Sequence, residues 1–176
     1  MFDIEEVGVL LSDVGENSPS FSFIDLDLNS ETFNENKDIL FISAFAYTLS
    51  RFVCSDKVLF DIIDENSDPL PLFVNCENQK VSAFIDSVKE SIDYYDQNRV
   101  DESSNIVFNL MSEEIESYDF NANILQKDKD YVLKLSSSEK YSQNTINRFL
   151  YSFKSILHDI LNVDVLKDMI IPVFLI

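Results

Sequence analysis

Apolar positions in this chain follow two periods, one helical and one extended. From Ile146 onward they fall at Ile146, Phe149, Leu150, Phe153, Ile156, Leu157, Ile160 and Leu161, the i, i+3, i+4, i+7 spacing of one helix face. Asn144 is placed to cap that helix. A second helical pattern carries Phe84, Ile85, Val88, Ile92 and Tyr95 on one face, with Ser82 as its expected cap and the polar run from Asp96 to Ser103 as its end. The segment Asp38 to Leu49 is apolar all round, so a buried helix is expected, with an acid at its positive end.

Strand patterns lie between these helices. Lys57 to Ile63 reads as a central strand, closed by the turn-rich Asp64-Glu65-Asn66-Ser67-Asp68-Pro69, and Leu70 to Cys76 as the next. Asn105 to Met111 forms a third buried strand. Phe120 to Leu125 and Tyr131 to Leu135 form a hairpin across Gln126 to Asp130. Phe21 to Leu28 alternates, but its apolar register switches between Phe23 and Ile24, which predicts a bulge or burial on both faces.

The resulting order is strand, helix, strand, strand, helix, strand, hairpin, helix. It predicts an α/β fold, a two-layer sandwich of one mixed β-sheet with helices packed on one main face. The expected boundaries are an N-terminal extension over 1–19, the packed unit over 20–168, and an apolar linker or edge strand over 169–176.

Composition narrows the partners. The chain has 176 residues, 45% of them hydrophobic and 12% aromatic, enough to build a core rather than a disordered segment. Its net charge of −19 sets it against nucleic acid, whose phosphates it would repel. No apolar run approaches the roughly 18 residues that span a bilayer, and the first residues carry no basic leader, so the cytoplasm is the expected compartment. Gly8 and Gly15 are the only glycines. They cannot build a phosphate-binding loop, and turns with positive φ fall to Asn and Asp. Cys54 and Cys76 are expected to be buried free thiols rather than a disulfide framework.

The candidate chemistry is sparse. His158 is the single histidine, and a helical histidine near a C-terminal dipole explains it more simply than acid–base work. Asp64, Asn66 and Asp68 imitate the start of a calcium loop, but Pro69 stands where its glycine belongs and Asn75 where its glutamate belongs. Asp25 and Asp27 lie two apart and would share a strand face. Glu113, Glu114, Glu116 and Asp119 read as a solvated acidic loop, available to a basic patch on a neighbour. No zinc pattern is present in one histidine and two scattered cysteines. No catalytic, cofactor-binding or metal-binding residue is assigned, and no cofactor is expected.

Several of these segments, in this order, resemble the C-terminal subdomain of peptide-synthetase condensation domains, which have the chloramphenicol-acetyltransferase-like fold. Ile42 to Arg51 is similar to the family's alanine-containing helix. Phe73-Val74-Asn75 resembles its "FVN" strand, Ile106-Val107-Phe108-Asn109 a later strand, and Ser142, Thr145, Ile146 and Arg148 the "F-S-x-x-T-I-x-R" start of its last helix. The match runs from about Ser20 to Lys167. The resemblance implies half of that fold and, for the intact family, amide formation between carrier-bound thioesters.

The departures matter as much. The family's H-H-x-x-x-D-G motif belongs to the other subdomain and has no counterpart in this sequence. Pro69-Leu70-Pro71-Leu72 replaces the glycine before the "FVN" strand, and Lys80 is the nearest cation after it. The connection from Tyr95 to Asn105 is shorter than the family's. These departures imply a truncated, non-catalytic condensation-like domain that serves as a docking platform for an adjacent adenylation or carrier domain. An acyltransferase half-site completed by a histidine-bearing partner chain, and a small homodimeric interaction protein, are the alternatives.

Overall fold

The stripe beginning at Ile146 forms a helix, and the sheet beneath it holds the core. The computed structural model describes residues 7–13, 19–28, 36–65, 68–113, 115 and 117–169. Its elements run β1 (Ser20–Asp25), α1 (Lys37–Phe52), β2 (Lys57–Ile63), β3 (Leu70–Asn75), α2 (Val81–Gln97), β4 (Ile106–Asn109), β5 (Phe120–Lys127), β6 (Asp130–Ser137) and α3 (Gln143–Ile160), then a short 3-10 turn over Leu166–Asp168. The sheet order is β1-β6-β5-β4-β2-β3. Strands β2, β4 and β5 run parallel, and the other pairings are antiparallel. Helix α1 packs on both α2 and α3, giving the expected two layers.

Aromatic rings join the layers. Phe45 of α1 stacks on Phe108 of β4 at 4.8 Å and meets Phe60 of β2 edge-on at 5.0 Å. Phe149 of α3 lies 5.5 Å from Phe45 and 5.0 Å from both Phe52 and Phe120. All of these except Phe52 are fully buried. At ~1.5–3 kcal/mol per buried side chain, this cluster supplies a large share of the driving force for folding.

The opposite face of the sheet is closed differently. β4 and β5 are adjacent parallel strands, a connection usually made through a helix. Here residues 110–119 cross instead, and an irregular segment carries backbone groups that need partners. Side chains facing away from the helices supply them. Asn109 Nδ2 donates to the Glu113 carbonyl at 2.8 Å, Asn121 Nδ2 to Ile115 at 2.8 Å, and Asn123 Nδ2 to Met111 at 2.6 Å. The main-chain N–H of Met111 donates to Asn109 Oδ1 at 2.8 Å. Glu113 of the region read as a solvated acidic loop is exposed, while buried amides hold the main chain of that region as a strap.

Other sequence expectations need correction. The N-cap of α3 is Ser142, with Asn144 inside the first turn, and that of α2 is Lys80, with Ser82 inside the helix. β1 pairs with β6 in unbroken register, without a bulge. Its Phe21 and Phe23 are exposed, and the apolar residues that it buries, Leu26 and Leu28, lie beyond its end. Asp27, with φ 54°, has left the strand and shares no strand face with Asp25. Leu161 caps α3 and is 43% exposed, outside the buried stripe. Cys76 is buried as expected, but Cys54 is exposed, and both are free thiols.

Asp27 and Asp128 supply positive φ as the glycine shortage predicts, and Cys54 is an unforeseen third. Gly8 serves a different end: a Cβ there would meet Val53 Cγ2 at 2.5 Å. This close approach lets its N–H reach the Lys57 carbonyl at 3.0 Å, and Leu10 enters the core. At the other end, Tyr47 Oη donates to the Leu166 carbonyl at 2.9 Å, and Met169 is buried. The apolar tail read over 169–176 otherwise lies outside the described residues.

Candidate functional site

The motif positions do not converge on one point. Phe73, Val74 and Asn75 lie on the edge strand β3, where Phe73 packs 5.3 Å from Tyr95 of α2. Asn75 Oδ1 accepts from the Glu77 N–H at 3.0 Å and closes the strand end. Phe108 and Asn109 sit two strands away on β4, one in the aromatic core and the other holding the strap. These positions serve packing and turn closure.

The third motif builds a site. Ser142 precedes α3, and its Oγ accepts from the Thr145 N–H at 3.2 Å. Asp13 reaches the same place from the N-terminal segment. Its Oδ1 accepts from the Ser142 N–H at 2.8 Å, and its Oδ2 accepts from both Ser142 Oγ and Thr145 Oγ1 at 2.5 Å. Burial works against the charged carboxylate, yet these hydrogen bonds prevail and hold the Asp13 carboxyl below its ordinary range. A negative group here also meets the positive end of α3. Ile146 is buried one residue later.

Arg148 lies about one turn beyond Thr145, its guanidinium 5.9 Å from the centre of the Phe52 ring. Beside it Arg51 lies 5.0 Å over Tyr47 and pairs with Asp56 at 2.6 Å. Arg51, Phe52 and Arg148, together with Leu10, Leu11, Asp13 and Cys54, bound a groove of about 340 Å³. Sequence reasoning found Thr145 and Arg148 through the motif. It missed Asp13 and Arg51, because their positions depend on contacts across the fold.

The remaining candidates take other roles. His158 Nε2 is 2.8 Å from the Leu26 carbonyl, so the ring is fixed on main chain. Asp27 pairs with Lys154. Asp119 bonds Lys140 Nζ at 2.6 Å and Asn105 at 3.1 Å; the Lys140 contact chiefly holds its carboxyl low. Glu113 contributes its carbonyl to the strap, while Glu114 and Glu116 lie outside the described residues. Asp64 lines a second cleft, of about 510 Å³, between the start of α1 and the ends of β2 and β5. Asn66 is outside the described residues.

One buried acid has no counterpart in the motifs. Asp61 of β2 is 2% exposed, accepts from the Tyr118 hydroxyl at 2.8 Å and from the Ser104 N–H at 3.2 Å, and fastens the strap to the sheet. Burial raises its carboxyl above the ordinary value, and burial beside that carboxylate also raises the Tyr118 phenol.

No protein-family model and no curated protein matches the sequence. Solved structures do match. The X-domain in its complex with OxyB from teicoplanin biosynthesis aligns with a TM-score of 0.74 at 12% identity, over 97% of this chain and 53% of that one. The starter condensation domain of rhizomide synthetase aligns at 0.68 and 8% identity, over 90% and 49%. The epimerization domain from the third module of tyrocidine synthetase B aligns at 0.63 and 11% identity, over 88% and 51%. The chain thus has the condensation-domain, chloramphenicol-acetyltransferase-like fold, and spans about half the length of these solved chains. Among the described residues no helix is long and apolar enough to cross a membrane.

Proposed function

We propose that this chain is a non-catalytic condensation-like domain of a peptide synthetase, a platform on which an adjacent adenylation or carrier domain docks. In this reading residues 20–168 form the body of the subdomain, and Leu10 and Asp13 of the N-terminal segment pack onto it.

The observation that carries it is the placement of His158. The single imidazole of the sequence is held on the Leu26 carbonyl, and it lines neither of the two grooves described above. General acid–base transfer needs such a ring within reach of the reacting proton. The fold adds no reaction of its own, because its matches carry different names for what they do. The X-domain is named in a complex with OxyB, which supports a docking role for this architecture.

The test has two arms. Mixed with aminoacyl and peptidyl pantetheine thioesters, the chain is expected to form no amide. Titrated calorimetrically against an adenylation domain and a carrier domain of a peptide synthetase, it is expected to bind one of them, and His158→Ala to bind equally well. Amide formation that disappears in His158→Ala without unfolding would establish an active half-site instead.

A further inference from the structure

The strap on the open face of the sheet is fixed at its ends and less completely bonded between them. At one end the Leu110 N–H donates to the Ile63 carbonyl at 2.9 Å, and at the other Asp119 is held by Lys140 and Asn105. Between those ends Asn121 and Asn123 grip the strap through their amide nitrogens alone. Their Oδ1 atoms are buried and bond no group among the described residues. A buried acceptor without a donor weighs against the closed position, as a half-satisfied polar network does.

Asp61 brings an acid into the same interior. The register sets it between Val107 of β4 and Pro71 of β3, neither of which titrates. Among the described residues the Tyr118 hydroxyl and the Ser104 N–H are the polar groups that bear on it, and no cation or second acid does. Burial outweighs those two bonds and pushes the carboxyl up. Once ionised beneath a closed strap, Asp61 is a buried carboxylate without a counter-charge, and lifting the strap returns it to water. We propose that the strap, seated through Met111, Glu113, Ile115 and Tyr118, is a two-position cover over the amide row, closed while Asp61 carries its proton and lifting as that proton leaves. Opening therefore rises with pH between the ordinary 3.8 and the higher value of the closed form, and levels off above it.

Methionine oxidation reads the two positions. Met111 is half-buried in the strap, and Met169 is buried beside the 3-10 turn, away from it. A thioether does not itself titrate, so its rate with hydrogen peroxide reports access. Peroxide oxidation of the whole chain, resolved by peptide mass spectrometry from about pH 4 to about pH 8, is expected to speed several-fold at Met111 and to stay slow at Met169. Asp61→Asn is expected to hold Met111 at the slow rate throughout. Tyr118→Phe, which removes the strap's own bond to Asp61, is expected to raise the Met111 rate and to keep its rise with pH.

A Met111 rate that ignores pH in wild type, or a rise that survives in Asp61→Asn, would overturn the proposal. Met169 oxidising in step with Met111 would do the same, by showing that the whole fold opens rather than the strap. Whether or not Asp61→Asn folds, a folded Tyr118→Phe without the rise would count against it equally.

Discussion

Asp61 shows how much one side chain can hold in place. Its carboxyl is raised by burial, so folding favours the protonated form. The sign follows: its contribution is fully present below the ordinary value of 3.8 and is lost as pH rises through the higher folded value. Asparagine keeps the acceptor for the Ser104 N–H and can donate to the Tyr118 oxygen, since a hydroxyl both gives and takes. Asp61→Asn is therefore expected to melt higher than wild type at pH 7, with the gap closing towards pH 4. Scanning calorimetry across that range checks it, and a lower melting point at pH 7 would contradict the account.

At the scale of elements, α3 and the strap on the opposite face make contrasting predictions. Phe149 meets rings from α1 and β5, so Phe149→Ala is expected to destabilise by ~3–5 kcal/mol in urea unfolding. Leu161→Ala, just past the helix, should change stability by less than about 0.5 kcal/mol. On the other face, Asn121→Ala removes the donor to Ile115, and ~1–3 kcal/mol is expected for the carbonyl left without it. Hydrogen exchange should rise across residues 110–119 ahead of the rest of the chain, and uniform exchange would show that the strap is not a separate unit.

This contrast also explains what the sequence disclosed. Helix α3 and strands β2 and β3 were legible because their periods are local, and β2 has its expected bounds. The α3 cap was misplaced by two residues because Asp13, a partner far away in sequence, fixes Ser142 there. The role of Asn109, Asn121 and Asn123 could not be read, because an asparagine in a strand declares no partner until the crossing segment is located. Thr145 and Arg148 were found through their motif, whereas Arg51 joined them only through folding.

For the whole molecule, charge is the governing quantity. Asp13 and Asp119 have lowered carboxyls, so their contributions are present above the ordinary 3.8 and are lost as pH falls through the folded values. The start of α3 and the segment around Asp13 should therefore hold until the pH falls below the ordinary 3.8 and loosen only then, and circular dichroism with exchange from about pH 5 down to about pH 2 checks this order. At neutral pH the net charge of −19 repels itself, so melting should rise between about 10 mM and 500 mM sodium chloride as the charges are screened.

The outer margin of the sheet adds a consequence for handling the protein. β1 borders no further strand among the described residues and displays Phe21 and Phe23, with a terminal Asp25 as its charged guard. Electrostatic repulsion between molecules is what keeps such margins from zipping together. Mild acidification, by discharging the carboxylates, should bring a turbidity maximum before secondary structure is lost, and Phe23→Lys should suppress that clouding.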